Sequence, residues 1–128
     1  MVQEEFYGPE LDQYLPVGFL KIHATMGQQT LPVAGSYVEV SRILGNGERR
    51  VYFEGETNAD GILDGIVLPT QLKSFSEFPQ NAVDPAFQYD VRVSKPGFRP
   101  VVINGIPVFA GVKSIQPVNM IPAVGMEG

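Results

Sequence analysis

The sequence predicts an all-β domain, a sandwich or a barrel, and three observations carry that expectation. Apolar and polar residues alternate with a period of two in several segments, no stretch sustains a helical period, and turn signals separate the segments at short intervals. Fourteen Gly and 11 Pro in 128 residues supply the turns, while Val, Ile, Phe and Tyr fill the segments between them.

Residues 1–17 are acidic, carry no clean period and read as an N-terminal arm; the domain is expected over 18–122, with 123–128 as a tail. In "GFLKIHAT", Leu20, Ile22 and Ala24 alternate with Lys21 and His23, as in a half-buried strand. "SYVEVSRIL" repeats the pattern, with Ser36, Val38 and Val40 inward and Tyr37 and Glu39 outward. Asn46-Gly47 suits the positive φ angles of a tight hairpin, which makes "RRVYFEGET" the returning strand. "TNADG" then separates it from "ILDGIVLP", a short strand ended by Pro69.

Residues 70–86 read as a long loop carrying Phe75 and Phe78, either a plug for one end of the fold or an apolar patch for a partner. "FQYDVRVS" is the cleanest strand, with Phe87, Tyr89, Val91 and Val93 on one face and Gln88, Asp90 and Arg92 on the other. The last strands, in "RPVVINGIPVFAG" and "KSIQPVNMIP", are expected to be short, broken at Asn104-Gly105 and by Pro107 and Pro117, and to lie at a sheet margin. Phe53, Phe87, Tyr89, Phe98 and Phe109 are the expected aromatic core.

Composition narrows the function classes. A length of 128 residues is that of one domain and is long enough to bury a core without staples. With no cysteine there is no disulfide framework and no thiolate chemistry. A net charge of −5 and the absence of any Lys/Arg cluster argue against nucleic acid or an anionic membrane surface as partner. No apolar run reaches the length of a membrane span. The acidic first residues do not resemble a signal peptide, so cytoplasmic synthesis is the expectation.

Few stretches carry chemistry. Asn58 and Asp60 in "TNADG", with Glu54, Glu56 and Asp64 nearby, offer oxygens, but not at the spacing of a calcium loop; the segment reads as a turn. The single histidine, His23, lacks the partners of a zinc sphere and reads as a surface residue, although a Ser–His pair stays open. "GNGERR" lacks the further glycines of a phosphate loop and precedes a strand, and nothing singles out two acids as a hydrolytic pair. No catalytic, cofactor or metal residue is therefore expected.

The stretches "LPVAGSYVEV", "GETNADGILDGIVLP", "FQYDVRVSKPGFRPVV" and "IPVFAGVKSIQPVNMIP" resemble the carboxypeptidase-regulatory-like, transthyretin-type domains. Among these the chain is most similar to the small domain of clostridial spore cortex-lytic proteins and of short Firmicutes proteins. The resemblance spans 18–122 and implies a seven- or eight-stranded antiparallel Greek-key sandwich, transthyretin- or prealbumin-like, acting as an accessory module without catalysis. It implies a protein or cell-wall-associated partner, a spore- or envelope-associated assembly, and self-association through an edge strand. The alternative function is a small-molecule or glycan-binding domain that uses 70–86. One histidine and the ending "AVGMEG" depart from the purine-pathway hydrolase of this fold group. Adhesin-type relatives join a Lys to an Asn, and Lys21 and Asn119 stand at comparable positions. Val93 occupies the place of the assisting acid, so no such bond is expected.

Overall fold

The computed structural model describes residues 15–70 and 87–123. Eight strands are present: β1 (Val17–Met26), β2 (Leu31–Pro32), β3 (Tyr37–Ile43), β4 (Arg49–Glu56), β5 (Ile62–Pro69), β6 (Phe87–Ser94), β7 (Val101–Val108) and β8 (Lys113–Asn119). They form two sheets, and no helix occurs among the described residues. In the first sheet β1 is the hub, paired with β5, β8 and the two-residue β2; the second runs β4-β3-β6-β7.

The alternation expected in β1, β3 and β6 is what builds the core. Leu20, Ile22 and Ala24 from β1 meet Val38 and Val40 from β3 and Tyr89, Val91 and Val93 from β6, all fully buried. Ile66, Leu68, Val108, Val118 and Met120 close the space between the sheets. Each of the larger aliphatic side chains among them contributes about 1.5–3 kcal/mol on leaving water. The buried Tyr89 hydroxyl is satisfied by donating to the Pro69 carbonyl, which ties β6 to the end of β5 across the sandwich. Phe53, Phe87 and Phe98 pack against this core as expected, whereas Phe109 stays half-buried at its border.

The hairpin at Asn46-Gly47 joins β3 to β4, with Gly47 at φ 92°. A register shift beside Val40 leaves Tyr52 as the extra residue of a bulge in β4. "TNADG" is a turn, but its flanking strands belong to different sheets, so it carries the chain across the sandwich instead of closing a hairpin. Buried Thr57 anchors the crossing: its hydroxyl donates to the Val33 carbonyl at 2.8 Å and accepts from the Ser36 N–H at 2.9 Å. Gly61 is required there, because its φ is +75° and a Cβ would lie 2.3 Å from the Ala24 carbonyl oxygen.

Two features depart from the sequence expectation. Residues 101–108 form one strand where Asn104-Gly105 and Pro107 suggest a break, and Lys113–Asn119 likewise runs on through Pro117. The pairing slips at Asn104-Gly105 instead, between Tyr89↔Ile106 and Val91↔Ile103, and the Asp90 carboxylate accepts the Gly105 N–H at 3.0 Å in place of a ladder bond. β8, in turn, runs parallel to β1 in a fold whose other described pairings are antiparallel. β7 and β8, with Pro107 and Pro117, do stand at sheet edges, where proline is tolerated.

Candidate functional site

The outer face of the second sheet carries a groove of about 250 Å³ with mixed polar and apolar lining, the apolar part from Val91 and Val102. It is lined by Glu39 and Ser41 of β3, Arg49 of β4, Asp90 and Arg92 of β6 and Asn104 of β7. Each of these is an outward position of a strand whose alternate residues fill the core, so the pleat that buries Val40 and Val91 also presents Glu39, Asp90 and Arg92.

An ion pair fixes the groove floor. Arg49 Nη1 donates to Asp90 Oδ2 at 2.8 Å and to Ser41 Oγ at 2.7 Å, reaching across β3 from one strand to the next but one. With side chains 48% and 20% exposed, the pair gains about 1 kcal/mol or less from attraction, and its main effect is to hold both groups in place. Oδ1 of Asp90 is already committed to Gly105. Glu39 stands opposite Arg92 on one side and opposite Glu54 on the other. Two cations and two anions line the groove, which is therefore neutral overall.

Acids crowd toward the β4 end of this face. Tyr37, opposite Glu56, has its phenol held above the usual value by partial desolvation, then by the charge of Glu54 and a hydrogen bond to it, and last by Glu39. On the inner side of the same sheet, Arg42 is buried to 9% exposure. Its Nη1 donates to the Tyr52 hydroxyl at 3.2 Å and its guanidinium lies 3.7 Å from the Phe87 ring centre. Tyr52 meets Tyr89 edge to face at 5.3 Å.

The chemistry weighed from sequence finds these places. The Asn58 side-chain oxygen accepts the N–H groups of Asp60 at 2.9 Å and Ile62 at 3.0 Å, so it is consumed by the turn. No group of three or more His, Cys, Asp or Glu that could hold a metal occurs among the described residues. His23 lies on the outer face of the first sheet, opposite Pro117 and Ile62, away from Ser41 on the second. Lys21 is opposite Ile115 and Asn119 opposite Thr25, which separates them by about 13 Å along the ladder and keeps them from joining. Phe75, Phe78 and the rest of 71–86 lie outside the described residues.

None of the groove residues was singled out from sequence. The outward placement of Glu39, Asp90 and Arg92 was readable from the period-two pattern. That Arg49 meets Asp90, 41 residues on, depends on β3 lying between β4 and β6.

No protein-family model matches the chain, and no curated protein matches it. Solved structures share its fold. The Bacillus anthracis TIE protein overlays with a TM-score of 0.55 at 19% identity, over 84% of this chain and 17% of that one. The 3-chlorocatechol 1,2-dioxygenase of Rhodococcus opacus 1CP overlays with a TM-score of 0.56 at 7% identity, over 85% of this chain and 61% of the enzyme. A transthyretin from Sparus aurata matches at a TM-score of 0.45 with 16% identity, over 78% of this chain and 89% of that one. The chain thus spans a small part of the first protein and about three-fifths of the second. At these identities the likeness concerns the β-sandwich alone.

Proposed function

We propose that this chain is a non-catalytic accessory module that binds a protein or cell-wall-associated partner within a spore- or envelope-associated assembly, through the groove of the second sheet. The observation that supports this reading is that the Asp90–Arg49–Ser41 cluster of the groove is tied together by structural hydrogen bonds. Both oxygens of Asp90 already accept hydrogen bonds, one from the Arg49 guanidinium and one from the Gly105 N–H, which hold the carboxylate in a structural role. Ser41 is 4% exposed and its hydroxyl accepts from Arg49, with no histidine at hand to take its proton. Fixed charges of both signs on neighbouring strands instead suit recognition. They match a peptide of alternating charge, or a peptide-substituted glycan, without net electrostatic steering.

The reading is tested by titrating isotope-labelled protein with soluble cell-wall glycan–peptide fragments while following amide shifts and product formation. The expected result is perturbation of the Glu39, Asp90, Arg92 and Asn104 signals with no turnover. Cleavage of the glycan, the peptide or an added ester overturns the non-catalytic reading. Shifts confined to other surfaces, or none, overturn the groove.

A further inference from the structure

Among the described residues, β2 at a sheet margin has only two residues, and the four longer margin strands are not finished alike. β7 carries Pro107 and the Gly105 bulge, and β8 carries Pro117. β5 carries the irregularity at Asp64-Gly65, with Gly65 at φ 79°, and ends at Pro69. Such devices deter edge-to-edge pairing. β4 has no proline over eight residues, and it fronts a shallow hollow of about 360 Å³ lined by Val51, Tyr52, Phe53 and Glu54.

The sequence of this open edge, "RRVYFEGE", is basic at its start and acidic at its end. Run antiparallel against itself about the point between Tyr52 and Phe53, it sets Arg49 opposite Glu56, Arg50 opposite Gly55, Val51 opposite Glu54 and Tyr52 opposite Phe53. In a regular strand that register would fail, because each facing pair is an odd number of residues apart and would point to opposite faces. The bulge at Tyr52 removes the conflict. Its extra residue puts Arg49, Val51, Glu54 and Glu56 on the outer face and leaves Arg50, Tyr52, Phe53 and Gly55 on the inner one. All four facing pairs then agree in side.

A need for positive charge exists at the acidic end. Glu54 faces Glu39 directly across the β3–β4 ladder, a like-charge pair, and Tyr37 stands opposite Glu56 with its phenol beside Glu54. A second copy in this register brings its own Arg49 to Glu56, and by symmetry the contact occurs twice. We infer that β4 is a self-complementary docking edge, through which two copies of this chain join antiparallel into a continuous eight-stranded sheet. Arg49 also lines the groove, but self-association is read without any ligand present, so the dimer and the groove reading fail separately.

Sedimentation equilibrium of the full chain from about 10 μM to 1 mM tests it, a range suited to a short-edge contact. The expected result is a concentration-dependent dimer. Glu56→Arg, which leaves the Arg49–Asp90 contact in place, should weaken it by at least about tenfold, since two attractive pairs become repulsive. Arg49→Glu should weaken it similarly. The double variant Arg49→Glu/Glu56→Arg should return to within about threefold of the parent. Circular dichroism confirms that each variant is folded. A monomer at every concentration overturns the inference, as does a dimer indifferent to Glu56→Arg or a double variant no better than the singles.

Discussion

β7 and β4 border the same four-stranded sheet, and among the described residues each is bound along one side only, β7 by β6 and β4 by β3. Along β7 the sequence spends Pro107 and a glycine at φ 74° on interrupting the free side, and Asp90 takes up the Gly105 N–H that the slip leaves over. Along β4 no proline or positive-φ glycine occurs, and the one irregularity, the bulge at Tyr52, moves side chains between faces. The difference teaches that an edge can be specified in two ways. Backbone chemistry at β7 removes the template for pairing, whereas at β4 the template remains and charge order decides what may use it.

Both edges rest on one intact core, and the largest expected effect removes that core. Val91→Asp, at a fully buried position of β6, should cost at least about 4 kcal/mol and unfold the domain, because an uncompensated carboxylate enters the space between the sheets. Its outward neighbour Arg92→Asp should cost about 1 kcal/mol, through like charge opposite Glu39. Chemical denaturation of the two variants reads the contrast, and exchanged outcomes would mean a strand register one residue out.

Next comes the residue that touches both edges. Asp90→Ala releases Arg49 on the β4 side and Gly105 on the β7 side, and should cost about 1–2 kcal/mol. Hydrogen exchange should quicken at Gly105 more than at the amides of the β3–β4 ladder, since only the former loses its acceptor. Equal acceleration at the two would show that the β7 bulge does not depend on Asp90.

A smaller change sharpens the contrast between the edges. Pro107→Val restores a donor to β7 and should leave stability within about 0.5 kcal/mol, an edge position having little packing to lose. It should nonetheless raise self-association by a route that Glu56→Arg does not reverse. Light scattering of the single and paired variants checks this, and an unchanged monomer–dimer balance would mean that Pro107 is not a guard.

The smallest effect belongs to the guarded margin of the first sheet. The Asp64 carboxyl sits below its usual 3.8 because it accepts the Gly65 N–H and, secondarily, a hydrogen bond from Lys113 at 3.2 Å. A carboxyl lowered on folding stabilises above its unfolded value, and that contribution is lost as pH falls through the lowered folded one. Carboxyl NMR titration should show Lys113→Ala moving the midpoint upward while leaving it under 3.8, the Gly65 bond being the stronger cause. A parent midpoint at or above 3.8 contradicts that assignment.

Much of the sandwich was legible because burial imposes a period on single strands. The inward sets of β1, β3 and β6 follow from alternation alone, and the turns at Asn46-Gly47 and Asn58–Gly61 from residues that tolerate unusual φ. Pairing order is different in kind. That β4 and β5 belong to separate sheets, that β8 lies parallel beside β1, and that Arg49 reaches Asp90 all depend on contacts between segments far apart in the chain, which no local pattern encodes. The continuity of β7 was missed for a related reason. Asn-Gly and Pro signal a break in isolation, and a neighbouring carboxylate turns the break into a bulge.

The parallel alignment of β1 and β8 has a mechanical consequence. Seven residue pairs, from Phe19↔Lys113 to Thr25↔Asn119, join the first strand to the last with both pointing the same way. Tension applied at Val17 and at Asn119 therefore pulls the two strands past each other along their length. The load falls on the whole ladder at once, where an antiparallel pair held at the same ends would peel open bond by bond. Resistance to stretching is set by how fast the loaded ladder ruptures, not by equilibrium stability. The arrangement makes this small sandwich a stiff link between whatever is attached at its two ends.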